Sequence, residues 1–148
     1  TGAGRSTGTA EYQAHIRGLA LDQVEVLLAD NELDRASTIL DSDIAASASA
    51  RAYFLQGEIA RHRPATPESQ ANALAAYDRA IGMADAPAEA YRQKAMIHRL
   101  RGEHDTAVKA FTRYLELAPN AVDAPLVRLY LEEQAAKVPP VAPPGGSK

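Results

Sequence analysis

Residues 88–121, AEAYRQKAMIHRLRGEHDTAVKAFTRYLELAPNA, read as two amphipathic helices joined by a turn, and the pair has no means of burying its own apolar face. Tyr91, Ala95 and His98 stand at i, i+4 and i+7 on the first predicted helix. Gly102 closes the turn, Ala107, Phe111 and Tyr114 stripe the second helix, and Pro119 ends it. A hairpin of this kind is stable only against neighbours built the same way, so the rest of the chain is expected to supply them.

It does so upstream. Residues 50–87 place Tyr53, Gly57 and Ala60 on one helix and Ala73, Tyr77 and Ala80 on the next. Their spacing exceeds that of the later unit because of HRPATPES, residues 62–69, which falls in the turn between the helices, where an array tolerates insertion. Thr66 and Pro67 read as a cap and first helical residue. A weaker copy covers residues 17–49, with Ala20, Val24 and Leu27 on the first helix and Ala36 and Leu40 on the second. There Asp43 stands where the other copies carry Ala80 and Tyr114, which marks either a divergent end repeat or a second helix that stops early. Downstream, Asp123 and Pro125 open a further helix in which Leu126, Leu129, Tyr130 and Glu133 keep helical spacing. Its apolar side is expected on the last repeat, with Arg128, Glu132 and Glu133 toward water.

The 34-residue period of residues 88–121, Gly102 in the turn, Ala107 followed four residues on by Phe111, and the terminal Pro119 together resemble the tetratricopeptide repeat. The resemblance implies an all-α, right-handed α-α superhelix of about three helix-turn-helix repeats plus a C-terminal capping helix. The expected organisation is a flexible N-terminal tether over 1–9 and a repeat domain over 10–137, followed by a disordered Pro/Gly tail over 138–148. Within the domain the repeats cover about 17–49, 50–87 and 88–121, and the capping helix about 123–137.

Composition agrees: 46% apolar but only 5% aromatic residues suit close helix packing through Ala, and alternating β-branched runs are missing. A balance of 16 basic against 19 acidic residues offers no basic face for nucleic acid. No apolar run approaches the length of a membrane span. The opening TGAGRSTGT, without Met, is what a bacterial lipoprotein cut at a cysteine just upstream of Thr1 is expected to look like. That reading places the chain in the periplasm on a lipid anchor, and the alternative is cytoplasmic.

No catalytic or metal motif survives inspection. GAGRSTG lacks a preceding strand and the GKS or GKT ending of a phosphate loop. His15, His62, His98 and His104 show no metal-ligand spacing and no carboxylate placed to orient a ring; His98 reads as a packed imidazole and His104 as exposed. Asp30, Glu32 and Asp34 imitate a calcium loop, but Arg35 takes the glycine position and Asp41 the twelfth. There is no G-x-S-x-G elbow and no cysteine nucleophile. The expectation is a chain that is not an enzyme and carries no cofactor or metal.

What remains is a surface. In the family it resembles, first helices line a concave groove, which implies a partner-binding set of Leu21, Glu25 and Leu28, then Arg51, Phe54, Glu58 and Arg61, then Arg92, Met96 and Arg99. Phe54 is the predicted anchor, and the arginines around it are predicted to favour an acidic peptide with apolar side chains. Met96 offers an adaptable thioether. The two-carboxylate clamp that holds chaperone C-termini in that family is absent, its places being taken by Leu21, Glu25, Leu55, Glu89 and Gln93. The function expected is therefore a scaffold that recruits a protein partner, by resemblance in a bacterial envelope assembly. One alternative is a docking or regulatory domain of a larger enzyme such as an envelope peptidase. Another is self-association, in which Tyr12, Ile16 and Leu19 form a stripe that either packs internally or meets a second copy as a homodimer.

Overall fold

The computed structural model describes residues 2–138, with side chains from Gly8 onward. Every regular element among them is an α-helix: α1 (Gly2–Ala29), α2 (Leu33–Ala46), α3 (Ala50–His62), α4 (Pro67–Ile81), α5 (Ala88–Leu100), α6 (His104–Leu117) and α7 (Ala124–Lys137). They group into two compact units, the first ending at Ala90 and the second beginning at Tyr91.

In the first unit α1 packs on α2 and α3, α2 on α3, and α3 on α4. Leu21, Val24, Leu27 and Leu28 of α1 meet Ala36 and Leu40 of α2 and Ala52, Leu55 and Ile59 of α3 in one apolar core. Because α1 serves two neighbours, its covered face is wider than a single stripe. Leu21 and Leu28, predicted to line a groove, lie in this core instead. Helix α1 also begins at Gly2, so helical backbone replaces the flexible tether expected over 1–9; no proline precedes Pro64 to interrupt it. Helix α2 does not stop early. It matches α6 at 14 residues each and buries Asp43 beside Ala36 and Leu40.

The turns follow local chemistry. Asn31 (φ +59°) and Gly102 (φ +76°) adopt the left-handed conformation that ends a helix. After α1, Glu32 N–H donates to Leu27 O and Asn31 N–H to Leu28 O. After α5, Glu103 N–H donates to His98 O and Gly102 N–H to Arg99 O, the same paired closure. The inserted turn before α4 is closed by a reciprocal cap, in which the Thr66 side chain accepts from Ser69 N–H and the Ser69 side chain from Thr66 N–H. Gly57 is needed for a different reason: a Cβ there would stand 2.4 Å from Tyr77 Cε1, so the ring of α4 lies directly on the backbone of α3.

In the second unit α6 packs on α7. Ala107, Ala110, Phe111 and Tyr114 are buried on α6, and Ala124, Val127 and Tyr130 on α7. The inward face of α7 is only partly the one expected: Tyr130 is buried and Arg128, Glu132 and Glu133 face water, but Leu126 and Leu129 are exposed too. Asp123 sets the phase. Its carboxylate makes no capping bond to α7 but is held by Tyr114 and Arg92, which turns Ala124 and Val127 inward. The tail expected over 138–148 lies, beyond Val138, outside the described residues. No described helix is long and apolar enough to cross a membrane.

Candidate partner-binding site

The predicted groove residues of the first unit are engaged within the chain. Arg51 donates to Asp22 at 2.6 Å and to Glu25 at 3.0 Å, tying α3 to α1. Arg61 donates to Glu58 at 2.9 and 3.3 Å, and Tyr77 Oη donates to Glu58 Oε1 at 2.5 Å. Burial, reinforced by the Glu58 charge, pushes the Tyr77 hydroxyl well above its usual range, so it remains a donor. Phe54 is half-buried, packed against the apolar core with its ring 5.9 Å from that of Tyr77. The structure thus gives Phe54 a packing role on α3 and gives Arg51 and Arg61 carboxylates of their own. Of this unit's predicted set, Glu25, Arg51, Phe54, Glu58 and Arg61 keep surface, while Leu21 and Leu28 do not.

The second unit brings its three predicted residues together. Arg92, Met96 and Arg99 of α5 line a cleft of about 150 Å³ whose other walls are Phe111 of α6 and Asp123, Leu126, Val127 and Tyr130 around α7. Arg92 Nε donates to Asp123 Oδ2 at 2.5 Å, and Tyr114 Oη donates to Oδ1 of the same carboxylate at 2.7 Å. Burial pushes the Asp123 carboxyl up, but the Tyr114 and Arg92 hydrogen bonds and the Arg92 charge outweigh it, so the group is held below the usual carboxylate range. The Arg99 guanidinium lies 5.0 Å over the Tyr130 ring, whose edge meets Phe111 at 5.4 Å. A stacked guanidinium keeps its in-plane donors, so Arg99 is suited to meet a carboxylate at the cleft mouth. Leu126, 70% exposed, supplies an apolar lip.

Sequence reasoning missed the α7 side of this cleft. Asp123 reads as a helix cap, and Tyr130 and Leu126 fall on one apparent stripe that the structure divides between cleft and solvent. The 31-residue separation of Arg92 from Asp123 carries no local signal. The histidines are likewise placed by tertiary contacts. His98 is only 12% exposed in its side chain and lies 3.1 Å from Glu103 Oε2, so a carboxylate does orient this ring; His104, exposed as expected, lies 2.8 Å from Tyr130 Oη. Among the described residues no three His, Cys, Asp or Glu side chains gather as a metal site.

No family model matches the chain, and no curated protein matches it. Solved structures do. One crystal structure of MamA superposes with a TM-score of 0.62 at 18% identity, covering 89% of this chain and 87% of that one. A second MamA crystal structure gives a TM-score of 0.63 at 20% identity over 86% of this chain and 71% of the other. At these identities the likeness speaks for the fold, and the fold is all-α: this chain is a helical solenoid like the tetratricopeptide-type fold of MamA.

Proposed function

We propose that this chain is a non-catalytic interaction module that holds a partner polypeptide, anchored in the α5/α7 cleft. The observation that carries the reading is the cleft itself: an apolar floor of Met96, Phe111 and Val127 under a rim of Arg99 and Leu126. At about 150 Å³ it is smaller than the roughly 300–1,000 Å³ typical of small-molecule sites, and it is sized for one apolar side chain of a larger ligand. The arginine rim selects a segment in which that side chain is followed closely by a carboxylate, which meets the in-plane donors of Arg99. Arg92 acts differently. Its pairing with Asp123 fixes the wall of the cleft, so its contribution is shape. A tetratricopeptide-like solenoid supports the reading, because such scaffolds work by presenting surface rather than chemistry.

The test compares partner capture by the wild-type chain with capture by Met96→Glu, Leu126→Glu and Phe54→Ala variants, each shown by circular dichroism to be folded at the temperature of the assay. A filled apolar anchor site contributes about 2 kcal/mol or more, or roughly a thirty-fold weakening on loss, so either Glu variant should release the partner. Phe54→Ala, which alters the other unit, should not. A partner retained by both Glu variants would remove the cleft from the reading.

A further inference from the structure

Helix α1 is apolar on two sides. Leu21, Val24, Leu27 and Leu28 account for one, which faces the core. Tyr12, Ile16, Leu19 and Val26 form the other and are exposed at 62%, 42%, 52% and 60%. With Gln23 they keep a 4-3-4-3 spacing, the a/d repeat of a helix that packs along a second helix. Among the described residues nothing in the first unit covers this seam, and from Gly8 to Ile16 every residue is exposed. That half of α1 also carries Gly8, with Gly18 close behind, and an isolated segment of such composition is marginal as a helix in water. Its helical state therefore calls for a covering partner.

We infer that the partner is a second copy of this chain, paired antiparallel along α1 about a twofold axis. The flanking charges select this arrangement. In an antiparallel pair the residues just before each a position face one another across the seam, and here those are His15 and Asp22. The register that sets Ile16 against Leu19 of the partner subunit brings His15 beside Asp22 of the partner subunit, twice by symmetry. It also stacks Tyr12 on Gln23 of the partner subunit. An imidazole N–H donates to a carboxylate in either protonation state, and Asp22, already held by Arg51, is oriented to accept. A parallel pair would instead set His15 beside Ala20 of the partner subunit and Asp22 beside Leu27, with no such complement. The seam from Tyr12 to Val26 is only about 22 Å long at 1.5 Å per residue, so the dimer is weak and dissociates on dilution.

Sedimentation of the 148-residue chain over a wide concentration range tests the pairing. Wild type should pass from monomer to dimer, while Ile16→Glu and Leu19→Glu should each raise the dissociation constant about 100-fold or more by burying an unpaired charge. Both positions lie off the core, so the unfolding of α2 to α4 should not move. The chain lacks cysteine, which allows a direct test of direction. Mixed Ile16→Cys and Leu19→Cys chains should oxidise to a cross-linked heterodimer, and neither variant should do so alone. A wild type that stays monomeric at the highest concentration overturns the inference, as does self-cross-linking of Ile16→Cys, the mark of a parallel pair.

Discussion

In the first unit Tyr77 donates to Glu58 while Arg61 holds the same carboxylate; in the second, Tyr114 donates to Asp123 while Arg92 holds its other oxygen. The chemistry repeats, but the positions do not. In the repeat pattern Tyr77 corresponds to Phe111, and Tyr114 to Ala80, one turn further on. Glu58 belongs to the helix that pairs with α4, so the first network closes a single hairpin. Asp123 lies just ahead of α7, so the second network reaches out of α6 and joins α5 and α6 to the helix that follows. A one-turn shift of a hydroxyl thus changes which elements are tied together. The second arrangement has a cleft beside the tie, with Met96, Phe111 and Val127 as its floor and the Tyr130 ring as a wall, the Tyr130 hydroxyl being satisfied by His104.

The most disruptive way to break this comparison is to remove each tyrosine. Tyr77→Ala and Tyr114→Ala should each cost about 3–5 kcal/mol, as large buried aromatics do. The sites of damage should differ when read by hydrogen exchange helix by helix. Tyr77→Ala is expected to speed exchange in α3 and α4, and Tyr114→Ala in α6 and in the first turns of α7. Unchanged protection in α7 would show that Asp123 holds its place without Tyr114.

A smaller effect isolates Gly57. Alanine there gains about 1 kcal/mol of helix propensity, yet its Cβ would stand 2.4 Å from the Tyr77 ring, and overpacking of that kind costs about 1–3 kcal/mol. Gly57→Ala should therefore destabilise the first unit in urea unfolding. In a Tyr77→Ala background the sign should reverse, since the ring that objects is gone. If Gly57→Ala destabilises equally in both backgrounds, the close approach of ring and backbone is not what requires glycine.

These contacts also show how far the sequence could be read. The helices announce themselves through Ala73, Tyr77 and Ala80 or Ala107, Phe111 and Tyr114, because a 3.6-residue period is local. Gly102 and the Thr66–Pro67 cap were legible for the same reason. Which side of a first helix faces outward is not local: Leu21 and Leu28 look available until α3 is seen to cover the side of α1 that α2 leaves open. The arginines were visible as charges, but their carboxylates come from 26 to 31 residues away for Arg51 and Arg92, and sequence spacing cannot pair them. Phe54 illustrates the remaining difficulty. Its place on the helix suits either an anchor or packing, and only the position of the Tyr77 ring shows where it rests.

The finest comparison sets Asp43 against Asp123, two acids whose surroundings push them in opposite directions. Burial raises the Asp43 carboxyl, with Arg17 and Arg51 only partly opposing, whereas Asp123 is lowered because its partners outweigh burial. A raised carboxyl means that the folded state binds the proton more tightly than the unfolded one. Asp43 therefore withdraws stability as pH rises from about 3.9, the unfolded value, through its folded pKa. For Asp123 the sign is reversed: its contribution is complete above the unfolded value and is lost as pH falls through the lowered folded pKa. Urea unfolding at pH 6 should show Asp123→Asn destabilising by about 1–2 kcal/mol and Asp43→Ala stabilising by about 0.7 kcal/mol or slightly more, the helix propensity difference plus relief of burial. At pH 3 the Asp123→Asn penalty should shrink as the wild-type carboxylate begins to protonate. The Asp43→Ala gain should fall back to the propensity difference alone, because the wild-type carboxyl is then neutral in both states. A gain at Asp43 that is the same at pH 3 and pH 6 would mean that its charge is solvated in the folded chain, and that the first repeat differs from the others at this position only in helix propensity.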